Sequence, residues 1–236
     1  MTTRRDFVSG SMLATACLLL SGENARASES TQPLTWDAFL EETKARARKL
    51  LQEEKTPTDA YLHFLASRML LRDDIRPNKL QAVPWAKPTI EFGAEKSGPP
   101  FTIIEFKMAP GAYLPPHNHP NGSVCTILLE GEAMADNFEF DGDRPEPGEA
   151  GEFRLRHTKR ERLTPRQVSV LTPDRNNLHA FRAGAHGARG IDLTTMHGPA
   201  AKFGFVRLRG SERPGDLVAG EWFDPRGASA IQTTSS

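Results

Sequence analysis

The sequence predicts a mainly β domain, closed as a sandwich or barrel and preceded by two amphipathic helices. Three observations predict it. From about residue 88 onward, short β-type runs broken by Gly and Pro follow one another at 101–108, 124–129, 132–140, 167–171, 178–182, 190–195 and 202–208. Strands of that length and spacing suit a sandwich or barrel. Ahead of them lie two stretches whose apolar residues recur at helical spacing among charges. A length of 236 residues fits one domain of ordinary size.

The first helix is expected over residues 34–54, where Leu34, Phe39, Leu40, Leu50 and Leu51 form the apolar stripe and Thr35 supplies a start signal. The second is expected over 58–73, carried by Tyr61, Leu62, Leu65, Met69 and Leu70, with Pro57 before it and Pro77 after it. His63 lies beside this stripe and reads as packing or surface. The run Arg154–Arg162 is the most basic in the chain and reads as a solvated hairpin, with His157 part of it. Residues 226–236 lack apolar anchors and read as a mobile tail.

Residues 1–27 read as a leader. Arg4-Arg5 precedes a weakly apolar stretch from Phe7 to Leu20, and Ala25-Arg26-Ala27 supplies small residues for cleavage. Ser9, Gly10 and Ser11 interrupt the stretch, which is too short for a membrane span of roughly 20 apolar residues. The pattern resembles a twin-arginine export signal, and this implies a folded, periplasmic protein with no stable membrane association after cleavage. Removal of Cys17 with the leader leaves Cys125 as the lone cysteine, so no intrachain disulfide is expected. In an apolar strand Cys125 is expected to be buried and inert. Thirty Lys and Arg balance thirty Asp and Glu, so no net field would gather nucleic acid, and a small-molecule partner is expected instead.

Chemistry concentrates at His117-Asn118-His119. On an extended strand, residues i and i+2 share a face, so the two imidazoles stand side by side. Imidazole suits iron, zinc, copper and nickel, and a third ligand from a distant strand would complete one face of the coordination sphere. His179 is the best candidate, since it begins a second strand after a turn-rich segment.

These residues resemble the cupin superfamily. Its first motif, G-x5-H-x-H-x3-4-E-x6-G, is matched by Gly111, His117, His119 and Gly131. Its glutamate is missing: Ser123 or Val124 stands there, depending on spacing. The looser second motif is represented by Pro173, Asn177 and His179. Pro115-Pro116 before the histidines, the absent glutamate and Asn177-Leu178-His179 are most similar to the thiol dioxygenases of the cysteamine dioxygenase and plant cysteine oxidase group.

The resemblance implies a single cupin-type β-barrel (double-stranded β-helix, jelly roll) over 85–225, with the 34–76 helical segment packed on it. It implies one Fe(2+) per protomer held by His117, His119 and His179, with a small thiol and O2 as substrates and a sulfinic acid as product. Asp192, thirteen residues after His179, matches the family's active-site aspartate and is the candidate catalytic residue. The family's tyrosine shortly after that aspartate is absent, because Tyr61 and Tyr113 are the only tyrosines. The corresponding region contains His197, which reads as surface, as does His186 in a Gly/Ala loop. A three-histidine oxygenase that cleaves carbon–carbon bonds and a non-catalytic ligand-binding cupin remain as alternatives.

Overall fold

Long-range strand pairing dominates the computed structural model, which describes residues 34–53, 59–70, 79–96, 101–173, 175–176, 178–196, 201–210 and 213–226. The expected leader with Cys17, the tail beyond residue 226, Pro57, Pro77, Asn177 and His197 lie outside the described residues. Two helices come first, α1 (Trp36–Gln52) and α2 (Asp59–Leu70), followed by β1 (Gln81–Ala82), β2 (Ile90–Lys96), β3 (Phe101–Met108), β4 (Tyr113–Asn118) and β5 (Gly122–Phe140). The remaining strands are β6 (Glu152–Leu163), β7 (Val168–Leu171), β8 (Leu178–Met196), β9 (Phe205–Arg209) and β10 (Leu217–Phe223). Among the described residues no helix is long and apolar enough to cross a membrane.

The helices form as their stripes dictate. Thr35 caps α1 by accepting from the Ala38 amide at 3.3 Å. Phe39, Leu62, Leu65 and Met69 then pack on Ile103 and Cys125 of the sheet.

Strands β5 and β8 each run for 19 residues and pair along almost their whole length. The expectation of two strands in each, separated at Glu130-Gly131 and at the Gly/Ala-rich stretch 183–189, is corrected: the chain bends there without breaking. Register shifts fall at Leu128/Glu130 and Gly131/Ala133. Gly131 and Gly187 both have positive φ, at 72° and 78°. A Cβ on Gly131 would run into the Gly187 carbonyl, so glycine is needed for the two strands to bend together. His186 therefore belongs to β8, not to a loop, and is exposed.

The bend lets both strands serve two sheets. Their outer halves order as β3-β8-β5-β7, with β2 and β1 extending beyond β3. Their inner halves lie between β4 and β6, and β9 and β10 join β6 back to β4. Together β4, β9, β10, β6, β5 and β8 close a six-stranded antiparallel barrel. The fold is thus mainly β, a closed antiparallel barrel with extra strands and two helices.

Three apolar layers hold it. The helices cover the outside of the first sheet. Phe106 and Leu128 meet Leu114, Leu163 and Phe181 between the sheets. Phe138, Phe153, Leu155, Leu178, Val206 and Val218 come from five strands of the ring and fill it.

The basic run expected as a solvated hairpin is instead part of the single strand β6, with one register shift against β5 at Thr158. Phe153, Leu155 and His157 alternate inward, while the charges between them point out and pair. Arg154 and Arg156 meet Asp141, Lys159 meets Glu161, Arg160 meets Asp136 and Arg162 meets Glu132. His157 is fully buried, stacked on Phe138 at 4.7 Å, with Nε2 2.8 Å from Asp136. Alternation, not the density of charge, sets its environment.

Candidate metal centre

His117 and His119 owe their placement to prolines. Pro115 and Pro116 have no N–H to give the ladder, and the β4–β8 register shifts between Leu114 and His117, across them. Beyond the shift, His117 pairs directly with His179 and Asn118 with Leu178. His119 sits one residue past the strand, at the first position of a tight turn closed by the Gly122 amide on its carbonyl at 3.1 Å. Asn121, at φ 53°, takes the left-handed position that follows Pro120.

The three expected histidines meet. Nε2 of His179 lies 2.9 Å from Nε2 of His119 and 2.9 Å from Nε2 of His117. Ligand atoms of all three fall within 4.8 Å of one another, the one such group of histidines, cysteines and carboxylates found among the described residues. Nδ1 of His117 donates to the Pro115 carbonyl at 2.9 Å, which leaves its Nε2 lone pair free. Burial lowers the His117 pKa to about 4, partly offset by that hydrogen bond. Burial and the neighbouring histidines hold His119 and His179 well below the ordinary range. All three are neutral at pH 7, the form that binds metal.

The convergence fits a divalent metal ion. One Nε2 carries either a proton or a lone pair, so His179 cannot satisfy both neighbours by hydrogen bonds, whereas a cation engages three lone pairs at once. Two nitrogens each ~2.1 Å from one metal and at right angles stand about 3 Å apart, close to the separations seen.

His117 and His119 open into a cavity of about 1060 Å³, which Asp192 also lines. Asp192 is buried and accepts a hydrogen bond from the Thr126 hydroxyl at 2.6 Å. Burial raises its pKa to about 7 against the lowering effect of that bond. Val124, Thr126, Asp192 and Thr194 share one face of the β5–β8 ladder, so Val124, where many cupins place the glutamate, faces the same space as Asp192. Cys125 points to the opposite, helix-covered face, where burial pushes its thiol pKa up and makes it inert.

The chain resembles the PCO_ADO family. That family's model matches residues 85–194, which contain all four candidate site residues. Over 93 residues the chain is 26% identical to a protein of Dictyostelium discoideum called "Probable 2-aminoethanethiol dioxygenase", covering 39% of this chain and 43% of that one. Over 86 residues it is 33% identical to "Plant cysteine oxidase 2" of Arabidopsis thaliana, covering 35% and 30%. The chain thus spans less than half the length of either relative. Among solved structures, KdgF from Halomonas sp. is similar with a TM-score of 0.36 and 19% identity, over 50% of this chain and 86% of that one.

Several residues of the site escaped the sequence reading. Thr126 lies four positions beyond the turn that Gly122 closes, and only strand pairing brings it to Asp192. Asn137 stands directly opposite His179 across the ladder, nearly fully buried, with neither polar atom of its amide bonded to a protein group. Asn118, between the two histidines, accepts from the Gly204 amide at 2.7 Å and donates to the Lys202 carbonyl at 3.2 Å. A polar residue buried between two motif histidines was the one signal available for it.

Proposed function

We propose that this chain is an Fe(II)-dependent dioxygenase that converts a small-molecule thiol to its sulfinic acid, RSH + O2 → RSO2H, so that both oxygen atoms end on sulfur. The observation that carries this reading is the convergence of three neutral histidine nitrogens, two of the residues buried and His119 partly so, with no carboxylate among them, in a chain that resembles the PCO_ADO family.

His117, His119 and His179 would hold the metal. When bound, it supplies a Lewis-acidic, redox-active centre at which thiol and dioxygen can meet. Three neutral ligands leave the full double charge of the ion in place, which favours an anionic donor such as a thiolate. Thr126 orients the Asp192 carboxyl in the wall of the same cavity. With its pKa near 7, Asp192 can hold or release a proton at physiological pH, or receive a substrate amine. The Arg4-Arg5 leader supports action in the periplasm after export in folded form.

The test is oxygen uptake by the iron-loaded protein on a panel of thiols and diketones, with products read by mass spectrometry. Two oxygen atoms added to a thiol are expected. Carbon–carbon cleavage of a diketone with no thiol oxidised would replace this reading with that of another three-histidine oxygenase.

A further inference from the structure

We infer that the ligand this cavity selects carries an extended apolar body, aromatic or long-chain, behind its reacting end, an inference that rests on the thiol-oxidising reading for the identity of that end.

Size is the first argument. A cavity of about 1060 Å³ lies at the upper limit of small-molecule sites, which run to roughly 1,000 Å³. At the roughly 30 Å³ that a water-sized group occupies, a four-atom amino thiol would fill little more than a tenth of it.

The walls are the second. Trp85 meets Phe205 edge-on at 5.3 Å, and Phe203 meets Phe205 edge-on at 5.0 Å. The Phe203 ring lies 5.6 Å from the His117 ring and 6.4 Å from that of His119, so the aromatic surface begins at the metal ligands. Phe223 extends it, 6.3 Å from Phe205. Of the charges at the edge, Asp224 and Arg226 are paired with each other at 3.0 Å. A compact amino thiol would engage the metal ligands' end and Asp192 but leave most of the aromatic wall without contact.

The third argument is that Phe203 is held in place. It is 51% exposed, one of two large hydrophobic side chains so exposed among the described residues. It sits outside any strand, yet the amide of Asn118 grips the chain on both sides of it, at the Lys202 carbonyl and the Gly204 N–H. A side chain buried between His117 and His119 thus fixes a half-exposed ring over those same histidines. An apolar ligand seated against Phe203 would remove that surface from water.

The experiment uses the full mature chain in two forms. In the zinc-loaded protein, Trp85 and Trp222 line the cavity and report binding of primary alcohols, from ethanol to phenylalkyl alcohols, by fluorescence. In the iron-loaded protein, kcat/KM for oxygen uptake is measured for cysteamine and for alkyl and phenylalkyl thiols of rising length. Affinity and kcat/KM are expected to rise about threefold or more per added methylene. Phe203→Ala should flatten both trends. Length-dependent alcohol binding without oxidation of any thiol would keep the apolar cavity and sink the thiol reading. Thiol oxidation with kcat/KM flat in chain length, or highest for cysteamine or for a peptide with an N-terminal cysteine, would overturn the inference and leave the thiol reading standing.

Discussion

Thr126 donates its hydroxyl to Oδ1 of Asp192 at 2.6 Å, joining two strands on the face where the cavity lies. The bond favours the ionised carboxylate, but burial outweighs it and the pKa rises from 3.8 to about 7. The folded metal-free chain therefore binds this proton more tightly than the unfolded chain does. Its contribution to stability is fully present below about pH 4 and is lost as pH rises through about 7. Asp192→Asn, neutral and nearly isosteric, should gain on the parent over that window, by at most about 4 kcal/mol, and then level off. Comparing the two in urea titrations cancels the shared histidine contributions. A difference constant from pH 4 to 8 would mean that Asp192 stays ionised throughout.

His117→Ala, His119→Ala and His179→Ala should each lower iron occupancy sharply from one per chain, as measured by metal analysis after desalting. His157→Ala is the contrast. Its imidazole fills the ring beside Phe138 and pairs with Asp136, away from the convergent three, so occupancy should hold while stability falls by about 2 kcal/mol or more. Full occupancy in His179→Ala would remove the third ligand from this assignment.

Val124 is completely buried, on the face it shares with Asp192. Val124→Glu should place a carboxylate toward the metal, keeping or improving iron binding while lowering thiol-dependent oxygen uptake about tenfold or more, since the added charge removes what attracts the thiolate. If the carboxylate does not reach the metal, an unpaired buried charge destabilises the fold and the melting temperature drops. A folded variant with carboxylate coordination and the parent rate would defeat the charge argument for a thiol.

Changing Arg4 and Arg5 together to lysine should retain the chain in the cytoplasm, as followed by fractionation, whereas the parent should mature to a form beginning near Ser28. Unimpaired export of the double variant would point to a general secretory signal instead.

Local spacing determined what it could. The helical stripes gave α1 and α2 to within a few residues, and strand β3 was legible at both ends, because periods of 3.6 and 2 are written in neighbouring residues. His117, His119 and His179 were legible as a group because two are fixed by i, i+2 geometry and the third stands at a strand start after a turn. Asp192 came from family resemblance alone, since nothing in its own surroundings marks it.

Tertiary structure decided the rest. Whether Gly131 and Gly187 end strands or bend them depends on two segments nearly sixty residues apart bending at the same point, which neither segment encodes alone. His157 looked exposed within its run of charges, yet its side chain alternates into a ring that exists only once β9 and β10 close it. Thr126 reaches Asp192, and Asn118 holds Phe203 over the histidines, through contacts 66 residues or more apart along the chain. A sequence specifies which side chains share a face of their own strand; which strands then stand opposite, and so what chemistry meets in the cavity, is settled only when the sheets pair and close.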